Sequence, residues 1–571
     1  MNWKKKFQPT VLLLGFIFGG IGTEAIAGTF ETISIQQNDR FRHDVIRFVR
    51  LAATDSSSAK NAFAKDLDKT WFNAGIQSDS PTLIHWAATV VIYVDGKKVG
   101  TGKATATSLS ETLNTASHLA GKHLSAKELK RARFEVIFYY PPDYHEYRII
   151  SDDDKAYELV GNIVPLRIMD TGLLKKSIQA EKAYLLRMMD AKNHAFFKRY
   201  NAALDERPVK LRTIYTASSL YTLLKVKNAF PDPVIEQSIK PIAGFLLMMQ
   251  EEKGENAGAF HYSYDATTHT RDKRFGAGRF VVGTASKTIF TLLMLYNDTH
   301  DAQYLDSAKR AGNWLVKKVD ANGFVNPVVE HYQGKLIQKT KQSFLYSGQV
   351  LSALSRLYYI TGDNTYLVSA TRIAKRMLAY IQKNGFFLGD SYRAPNSVST
   401  SWVVMSLVDY SKINPDPVYL EAITHCAQEL INRQIHAPWD AFNDGRLMDI
   451  ITSSGNGWVN EVMTELYPVC EARKMSNCQL YRQFILASSR WLVQNMYTSA
   501  NSFAIKNPAV AQGGVIRNFS EQSVRTDAVC HSLNSLVGLL NIIQGKNEMI
   551  AFLPEAPMDE TLGLLEMGSL P

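Results

Sequence analysis

The feature that most constrains the fold is an internal repeat of paired helical segments in the C-terminal two-thirds of the chain. One member of each pair carries many charged residues, and such segments start at Tyr304, Tyr366, Tyr419 and Tyr481, with a looser version at Val234. The other member is apolar on more than one face. These apolar segments start near Thr216, Thr284, Ser347, Thr400, Asn460 and Asp527. The repeat length is roughly 55–70 residues, as expected for helical hairpins with insertions.

The difference between the two members predicts an inner and an outer layer of helices. A helix that is apolar on several faces is covered by protein, whereas a helix with a charged face borders solvent. Six such pairs predict an all-α, six-hairpin α/α toroid over residues 210–545, followed by a tail over 546–571. An open helical solenoid is the alternative. Closure is favoured because the pattern reaches six hairpins before the proline-containing tail begins.

One hairpin carries a resemblance to known enzymes. The phrase SGQVLSALSRLYYITGDNTYLVSA, which starts at Ser347, is similar to a recurring phrase of toroid carbohydrate-active enzymes. These include glucuronyl C5-epimerases, N-acylglucosamine epimerases and unsaturated-glucuronyl hydrolases. The resemblance implies the toroid fold and an activity on sugars. It does not specify the reaction, because the repeated tyrosine, leucine and alanine positions are those of inter-helix packing.

The hydrophobic period changes ahead of the repeat. Residues 28–79 are polar and helix-prone, whereas two alternating runs around Asp95 and Gly96 predict a β-hairpin. Further helices and strands follow, which together predict a small α+β domain over residues 80–205. The stretch LSAKELKRARFEVIFYYPP in this domain resembles the AMMECR-type domain. The chain has VGTGKATA where that family has its glycine–cysteine signature, so the resemblance carries no catalytic residue across.

The first residues have the pattern of a secretory signal peptide. Lys4, Lys5 and Lys6 precede an apolar run at residues 11–22, and Ala25 and Ala27 form a small-x-small cleavage site. This predicts removal of residues 1–27 and a periplasmic or secreted protein. A membrane anchor is the competing interpretation. The apolar run is shorter than the roughly 18–20 residues that span a bilayer, so no transmembrane segment is expected after cleavage.

Charge and cysteine content limit the expected partners and cofactors. The formal net charge is +10, which favours anionic partners such as acidic glycans, but no Lys/Arg-rich run predicts nucleic-acid binding. Export permits disulfides among the four cysteines, and Cys470 with Cys478 would close a short loop. We expect no cofactor and no metal. The alternative is a zinc-dependent toroid enzyme with Asp527, Cys530 and His531 as ligands, although adjacent helical residues project about 100° apart.

The loops that lead from each outer helix to the next inner helix carry the candidate functional residues. Such loops gather on one face of a toroid, and aromatic rings alternating with carboxylates suit a sugar. The candidate catalytic residues are Asp390, Glu461, Asp527 and His531. The candidate substrate-binding residues are Tyr262, His331, Tyr392, Trp458, Arg517 and Arg525.

These residue types leave several functions open. Two carboxyl groups among Asp390, Glu461 and Asp527 could serve glycoside hydrolysis. A lyase or epimerase acting on uronic-acid glycans would use His531 or Tyr392 as the base, with arginines holding the carboxylate. Alternatively, the chain is a non-catalytic glycan- or envelope-binding protein, in which the toroid supplies only a groove. Taken singly, Asp527 could be a helix cap and His531 a hydrogen-bonded core residue. The expected partner is a polysaccharide or oligosaccharide, with an acidic one favoured by the charge.

Overall fold

The computed structural model describes most of the chain in two compact units, which divide between Ala156 and Tyr157. The described residues are 39–54, 58–71, 76–77, 84–94, 97–130, 132–140, 145–152, 155–160, 163–271, 278–332, 335–338, 341–438, 441–502, 505–518 and 521–553. The predicted signal peptide, the hairpin turn at Asp95 and Gly96, and most of the tail lie outside them. No helix in these ranges is long and apolar enough to cross a membrane.

The first unit is an antiparallel sheet with helices packed on it. Its helices are α1 (Asp39–Thr54), α2 (Ser58–Trp71), α3 (Leu109–Gly121) and α4 (Ala126–Lys130). Its strands are β1 (Ile76–Gln77), β2 (Ile84–Val94), β3 (Lys97–Ala106), β4 (Arg133–Tyr140), β5 (His145–Asp152) and β6 (Lys155–Val160), the last of which runs into the second unit. The order is β1-β2-β4-β5-β6, with β3 also on β2. The predicted hairpin is therefore present, with Trp86 opposite Ala106.

The two helices of the predicted lead-in share the core of this first unit. Phe41 of α1 contacts Trp71 of α2 edge-to-face, with ring centroids 5.0 Å apart. The same ring lies 5.9 Å from Phe138 of the sheet, and all three side chains are buried. Helix α1 is thus packed against the strands, and α2 against α1 and α3, so that neither forms a separate segment.

Six inner helices of the second unit form a closed ring. They are α6 (Thr213–Ala229), α8 (Val282–Thr299), α10 (Phe344–Thr361), α12 (Ser397–Ser411), α14 (Ser453–Arg473) and α17 (Thr526–Ile542). Each packs against the next, and α17 packs against α6. Every inner helix contains the residue near which its start is predicted from the sequence. The open solenoid is excluded, because the first and last members of the series touch.

An outer helix follows each of the first five inner helices. These are α7 (Pro233–Met248), α9 (Ala302–Val316), α11 (Asn364–Asn384), α13 (Pro417–Ile431) and α15 (Cys478–Gln494). Their repeated aspartate is an N-cap: Asp301 accepts a hydrogen bond from the amide of Gln303, and Asp363 from that of Thr365. The tyrosine that follows packs inward, and Tyr366 is fully buried. The sequence repeat thus reflects the cap and the inward contact in α9, α11 and α13.

The sixth outer helix comes from a part of the chain that the sequence placed in the α+β domain. Helix α5 (Thr171–Arg187) packs against α17 and α6, and the unit boundary lies at Ala156 instead of near 205. Glu181 of α5 is fully buried and accepts a hydrogen bond from Ser532 Oγ of α17 at 2.9 Å. The ring is therefore completed by a segment more than 300 residues away from its partner.

The second unit is not all-α, contrary to the prediction, because its long connections pair into short strands. These are β7 (Ile168–Asp170), β8 (Met189–Asp190), β9 (Ala195–Phe196), β10 (Arg199–Asn201), β11 (Lys210–Arg212), β12 (Ser263–Asp265), β13 (Thr270–Arg271), β14 (Arg279–Val281), β15 (Val328–Tyr332), β16 (Lys335–Gln338), β17 (Ile516–Asn518), β18 (Glu521–Arg525) and β19 (Met549–Phe552). A helical turn, α16 (Pro508–Ala511), precedes β17. Such pairing satisfies backbone groups that the connections would otherwise leave unbonded. Part of the predicted tail also belongs here, since β19 pairs with β7.

The four cysteines divide into one disulfide and two buried thiols. Cys470 and Cys478 are bonded, joining the end of α14 to the start of α15, as the short-loop spacing suggested. Cys426 and Cys530 are free and buried. Burial raises the pKa of each thiol to about 12, which makes both poor nucleophiles at neutral pH.

Candidate active site

A cavity of about 450 Å³ lies where the N-terminal ends of the inner helices converge. Each of the six helices contributes at least one side chain to its lining, as shown by Tyr215, Lys287, Gln349, Trp402, Trp458 and His531. The N-terminal end of a helix carries a partial positive charge. A cavity surrounded by six such ends therefore favours a ligand with negative charge.

Aromatic rings from several of the inner helices line this cavity. Trp402 and Trp458 are stacked, with centroids 3.9 Å apart and planes inclined by 20°. The imidazole of His531 meets Trp458 edge-on at 5.2 Å, and Tyr215, Tyr262 and Tyr346 also line the cavity. The apolar face of a sugar ring stacks on surfaces of this kind. The arrangement is suited to a saccharide.

His531 is held by a buried carboxylate. Its Nδ1 lies 2.6 Å from Glu461 Oε2, and Asn534 Nδ2 donates to the other carboxylate oxygen at 2.9 Å. Burial by itself would raise the pKa of Glu461. The hydrogen bond from His531 and the charges of His531, Lys287 and Lys225 outweigh burial, so the pKa lies below its ordinary value. With Nδ1 occupied, Nε2 of His531 is the nitrogen available to a molecule in the cavity.

Arg525 and Asp527 form an ion pair at the cavity wall. Arg525 Nε donates to Asp527 Oδ1 at 3.0 Å, and Nη2 donates to the other carboxylate oxygen and to Tyr215 Oη at 3.1 Å. The N-cap of α17 is Arg525, whose side chain makes no capping hydrogen bond. The position of Asp527 in the sequence suggested a helix cap, but the residue does not cap α17. It neutralises the arginine beside it.

Lys287 is a cavity residue that the sequence analysis does not identify. Its Nζ lies 4.9 Å from the ring centre of Trp402 and 4.7 Å from that of Trp458, and it has no carboxylate partner among the described residues. Burial, reinforced by the charges of Arg356 and Lys225 against the attraction of Glu461, lowers its pKa to about 8. A signal is present in the sequence, because Lys287 is a charged residue within the otherwise apolar run TASKTIFTLLMLY.

The structure brings several predicted residues to this cavity. Tyr262, Trp458, Arg525, Asp527 and His531 line it, and Glu461 lies directly behind His531. Their catalytic and binding roles remain predictions. What the structure adds is that residues from distant loops and helices share one cavity.

The other predicted residues lie elsewhere. Asp390 accepts hydrogen bonds from the amides of Phe344 and Tyr392 at 2.8 and 2.9 Å, and with Tyr392 it borders a separate surface cavity. Arg517 lies on β17, where its carbonyl accepts from Ser453 Oγ. His331 lies on β15, and its side chain is outside the described part. The carboxylate of Asp390 thus orders a loop, and this loop contributes Arg393 and Asn396 to the lining of the central cavity.

The three residues considered as zinc ligands point to different partners. Asp527 binds Arg525, Cys530 Sγ lies 3.6 Å from Ser219 Oγ, and His531 binds Glu461. Among the described residues no group of three or more histidine, cysteine, aspartate or glutamate side chains is arranged to hold a metal ion.

Part of the chain matches a family of sugar-cleaving enzymes. Residues 283–400 are similar to glycosyl hydrolase family 76. The match includes the hairpin phrase at Ser347 and confirms the resemblance to carbohydrate-active enzymes that this phrase predicted. It covers a minor part of the chain. No curated protein is similar enough over its sequence to count as a relative.

Solved structures of toroid enzymes are similar at low identity. An unsaturated glucuronyl hydrolase specific for heparin matches with 12% identity and a TM-score of 0.47, over 65% of this chain and 98% of the other. Cellobiose 2-epimerase from Bacillus thermoamylovorans matches with 12% identity and 0.48, over 70% and 98%. A family 76 α-mannanase from Bacteroides thetaiotaomicron matches with 12% identity and 0.48, over 65% and 96%. At such scores a shared activity does not follow.

Proposed function

We propose that this protein is an exported carbohydrate-active enzyme whose active site is the cavity at the N-terminal ends of the inner helices. The proposed substrate is a glycan unit that carries a carboxylate, as in a uronic acid. The observation that carries the proposal is the arrangement of His531, Glu461 and Lys287 around one aromatic-lined cavity. The family match at residues 283–400 supports an activity on sugars.

The charges around the cavity favour an acidic substrate. Among the lining residues Asp527 provides the single carboxylate, and Arg525 neutralises it. Lys287 and Arg393 also line the cavity and have no carboxylate partner among the described residues. Two cations in one site, neither of them in an ion pair, would bind the carboxylate of a uronic acid. They would also stabilise the negative charge that develops there when the adjacent proton leaves.

The geometry supports proton transfer at the carbon next to that carboxylate. Nε2 of His531 would accept the proton, while Glu461 stabilises the resulting imidazolium through Nδ1. In an elimination, the electrons of the broken C–H bond form a double bond to the neighbouring carbon, the bond from that carbon to the glycosidic oxygen breaks, and this oxygen leaves with a proton from an acid. In an epimerisation, a proton returns to the opposite face. The pKa of Lys287 is about 8, which is close to neutral pH, so Lys287 is the group suited to supply the proton in either reaction.

Glycoside hydrolysis is the second candidate, and the family match favours it. Hydrolysis requires two carboxyl groups on either side of the scissile bond. Asp527 and Glu461 are the available pair, but each is engaged, Asp527 by Arg525 and Glu461 by His531. For this reason we rank proton transfer first.

A panel of acidic and neutral glycans tests the proposal. The purified protein is incubated with polygalacturonate, alginate, glucuronan, mannan and dextran. Elimination gives ultraviolet absorbance from an unsaturated uronate, epimerisation in deuterated water gives deuterium next to the carboxylate, and hydrolysis gives reducing ends alone. We expect one of the first two on an acidic glycan. Turnover confined to neutral glycans would contradict the acidic substrate, and binding without any turnover would make the protein a glycan-binding module.

A further inference from the structure

Cations from three segments of the chain lie beside residues that line the cavity. We infer that these residues, Lys198, Arg199, Arg212 and Arg525, here called the basic rim, bind the carboxylates of further uronate units in a chain whose reacting unit lies in the cavity. The inference rests on the proposed function and extends it from a single sugar unit to an acidic oligosaccharide.

The strand register places two of these cations side by side. β10 pairs antiparallel with β18, and Arg199 lies directly opposite Arg525. Residues directly opposite in an antiparallel pair project from the same face, and like charges in that position destabilise the pair. Lys198 is the next residue along, held by a hydrogen bond from the amide of Thr526 to its carbonyl at 3.1 Å. Three cations therefore share one short stretch at the start of α17.

A third segment joins this stretch to the cavity. Arg212 ends β11 immediately before α6, and its guanidinium carbon lies 4.4 Å from the ring centre of Tyr262. Tyr262 lines the cavity and also contacts the guanidinium of Arg279 at 4.2 Å. Because Arg212 touches a residue of the cavity wall, the basic rim is continuous with the proposed active site through both Tyr262 and Arg525.

The carboxylates nearby do not balance these charges. Asp527 neutralises Arg525, and Glu330 lies 2.8 Å from Arg279. Among the described residues Lys198, Arg199 and Arg212 form no ion pair with a carboxylate, although the charge of Asp527 also acts on Lys198. Burial lowers the pKa of Lys198, and the charges of Arg525 and Arg212 lower it further against the opposing charge of Asp527. An anion bound between them would relieve this repulsion.

Isolated surface cations serve solubility and need no ligand, but the basic rim differs from such residues. Lys198 and Arg212 are half-buried, and their neighbours are further cations around the mouth of a cavity. A glycan of uronic acids carries one carboxylate on every unit. A glycan chain entering the cavity would place successive carboxylates along the basic rim. The negative charges of the glycan would then lie next to the cations of the basic rim.

The test removes two rim charges and leaves the cavity unchanged. The double variant Lys198→Gln, Arg199→Gln is compared with Lys317→Gln, Lys383→Gln, which removes equal charge from exposed positions at the ends of two outer helices. Binding is measured by calorimetry with uronate oligomers of increasing length, prepared from whichever acidic polymer the wild type binds. We expect the rim variant to bind long oligomers about tenfold more weakly, with a shallower salt dependence, and to bind the dimer as the wild type does. The control variant should match the wild type throughout.

Three results would overturn the inference. The rim variant and the wild type could bind long oligomers equally well in a protein that does turn over an acidic glycan. This would contradict the role of the basic rim without affecting the proposed function. Tighter binding of dextran sulfate than of uronates of similar length would assign the rim to sulfate esters instead. If the wild type binds none of the acidic polymers, both the inference and the proposed acidic substrate are wrong.

Discussion

Glu461 and His531 form the pair on which the proposed proton transfer depends, and two substitutions separate their roles. His531→Gln removes the base, and kcat should fall by about 10²–10⁴-fold. Glu461→Gln keeps a hydrogen-bond acceptor for Nδ1 but removes the charge that stabilises the imidazolium, so a smaller loss, roughly 10–100-fold, is expected. Steady-state kinetics on the active glycan measure both. A His531→Gln enzyme with full activity would show that another group moves the proton.

We expect Lys287 to lower the folding stability of the protein although the proposed reaction needs it. The variant Lys287→Met tests this. Because burial lowers its folded pKa to about 8 from the ordinary 10.5, the unfolded chain holds this proton more tightly than the native protein does. The resulting loss of folding stability is complete below pH 8, and it disappears as the pH rises towards the pKa of the unfolded chain. Contacts of Lys287 with two indole rings reduce this destabilisation. We therefore expect the free energy of unfolding of Lys287→Met to exceed that of the wild type by about 1 kcal/mol at pH 7.

Urea unfolding of Lys287→Met at neutral and at strongly alkaline pH measures this effect. The variant should be more stable than the wild type at neutral pH and equally stable at strongly alkaline pH. It should have lost turnover under both conditions. Lys317→Met, at an exposed position, serves as the control and should change neither stability nor turnover. A variant that is less stable than the wild type at pH 7 would mean that Lys287 is compensated in the native protein.

At the scale of elements, the inner helices α10 and α12 approach closely at Gly348. A β-carbon at this position would lie 2.7 Å from the carbonyl oxygen of Trp402, which belongs to the cavity wall. Gly348→Ala should therefore cost about 1–3 kcal/mol and displace Trp402. Gly244 lies on the outer helix α7, and a β-carbon there would have no other atom within 4 Å. Gly244→Ala should accordingly stabilise the protein by up to about 1 kcal/mol.

Thermal unfolding of both glycine variants, with turnover on the active glycan, tests the helix contact. The expected pattern is a lower melting temperature and reduced activity for Gly348→Ala, and a slightly higher melting temperature with normal activity for Gly244→Ala. Equal effects of the two substitutions would mean that α10 and α12 can separate without loss.

Individual elements differ in how well the sequence predicts them. The outer helices α9, α11 and α13 are recognisable because each repeats an aspartate N-cap and an inward-facing tyrosine, as at Asp363 and Tyr366. The short strands are not, because runs of two to five residues carry no periodicity of their own. β10 is an example: its partner is β18, more than 300 residues further along.

For the whole molecule, the N-terminal pattern predicts export and removal of residues 1–27. Expression in a Gram-negative host should give a periplasmic protein whose intact mass and N-terminal sequence begin at Gly28. Replacing Lys4, Lys5 and Lys6 with glutamate should retain the uncleaved precursor in the cytoplasm, since the basic n-region would be lost. A full-length product beginning at Met1 in the periplasmic membrane fraction would instead support an anchor.

Local sequence patterns are enough to predict the number and approximate position of the inner helices, the toroid class and the resemblance to carbohydrate-active enzymes. These properties follow from periodicity, which each segment carries independently of its neighbours. Three relations emerge only from the folded chain: α5 completes the outer layer, Asp390 orders a loop, and Lys287 faces the same cavity as His531. Such relations depend on which distant segments meet when the ring closes, and no local pattern records them.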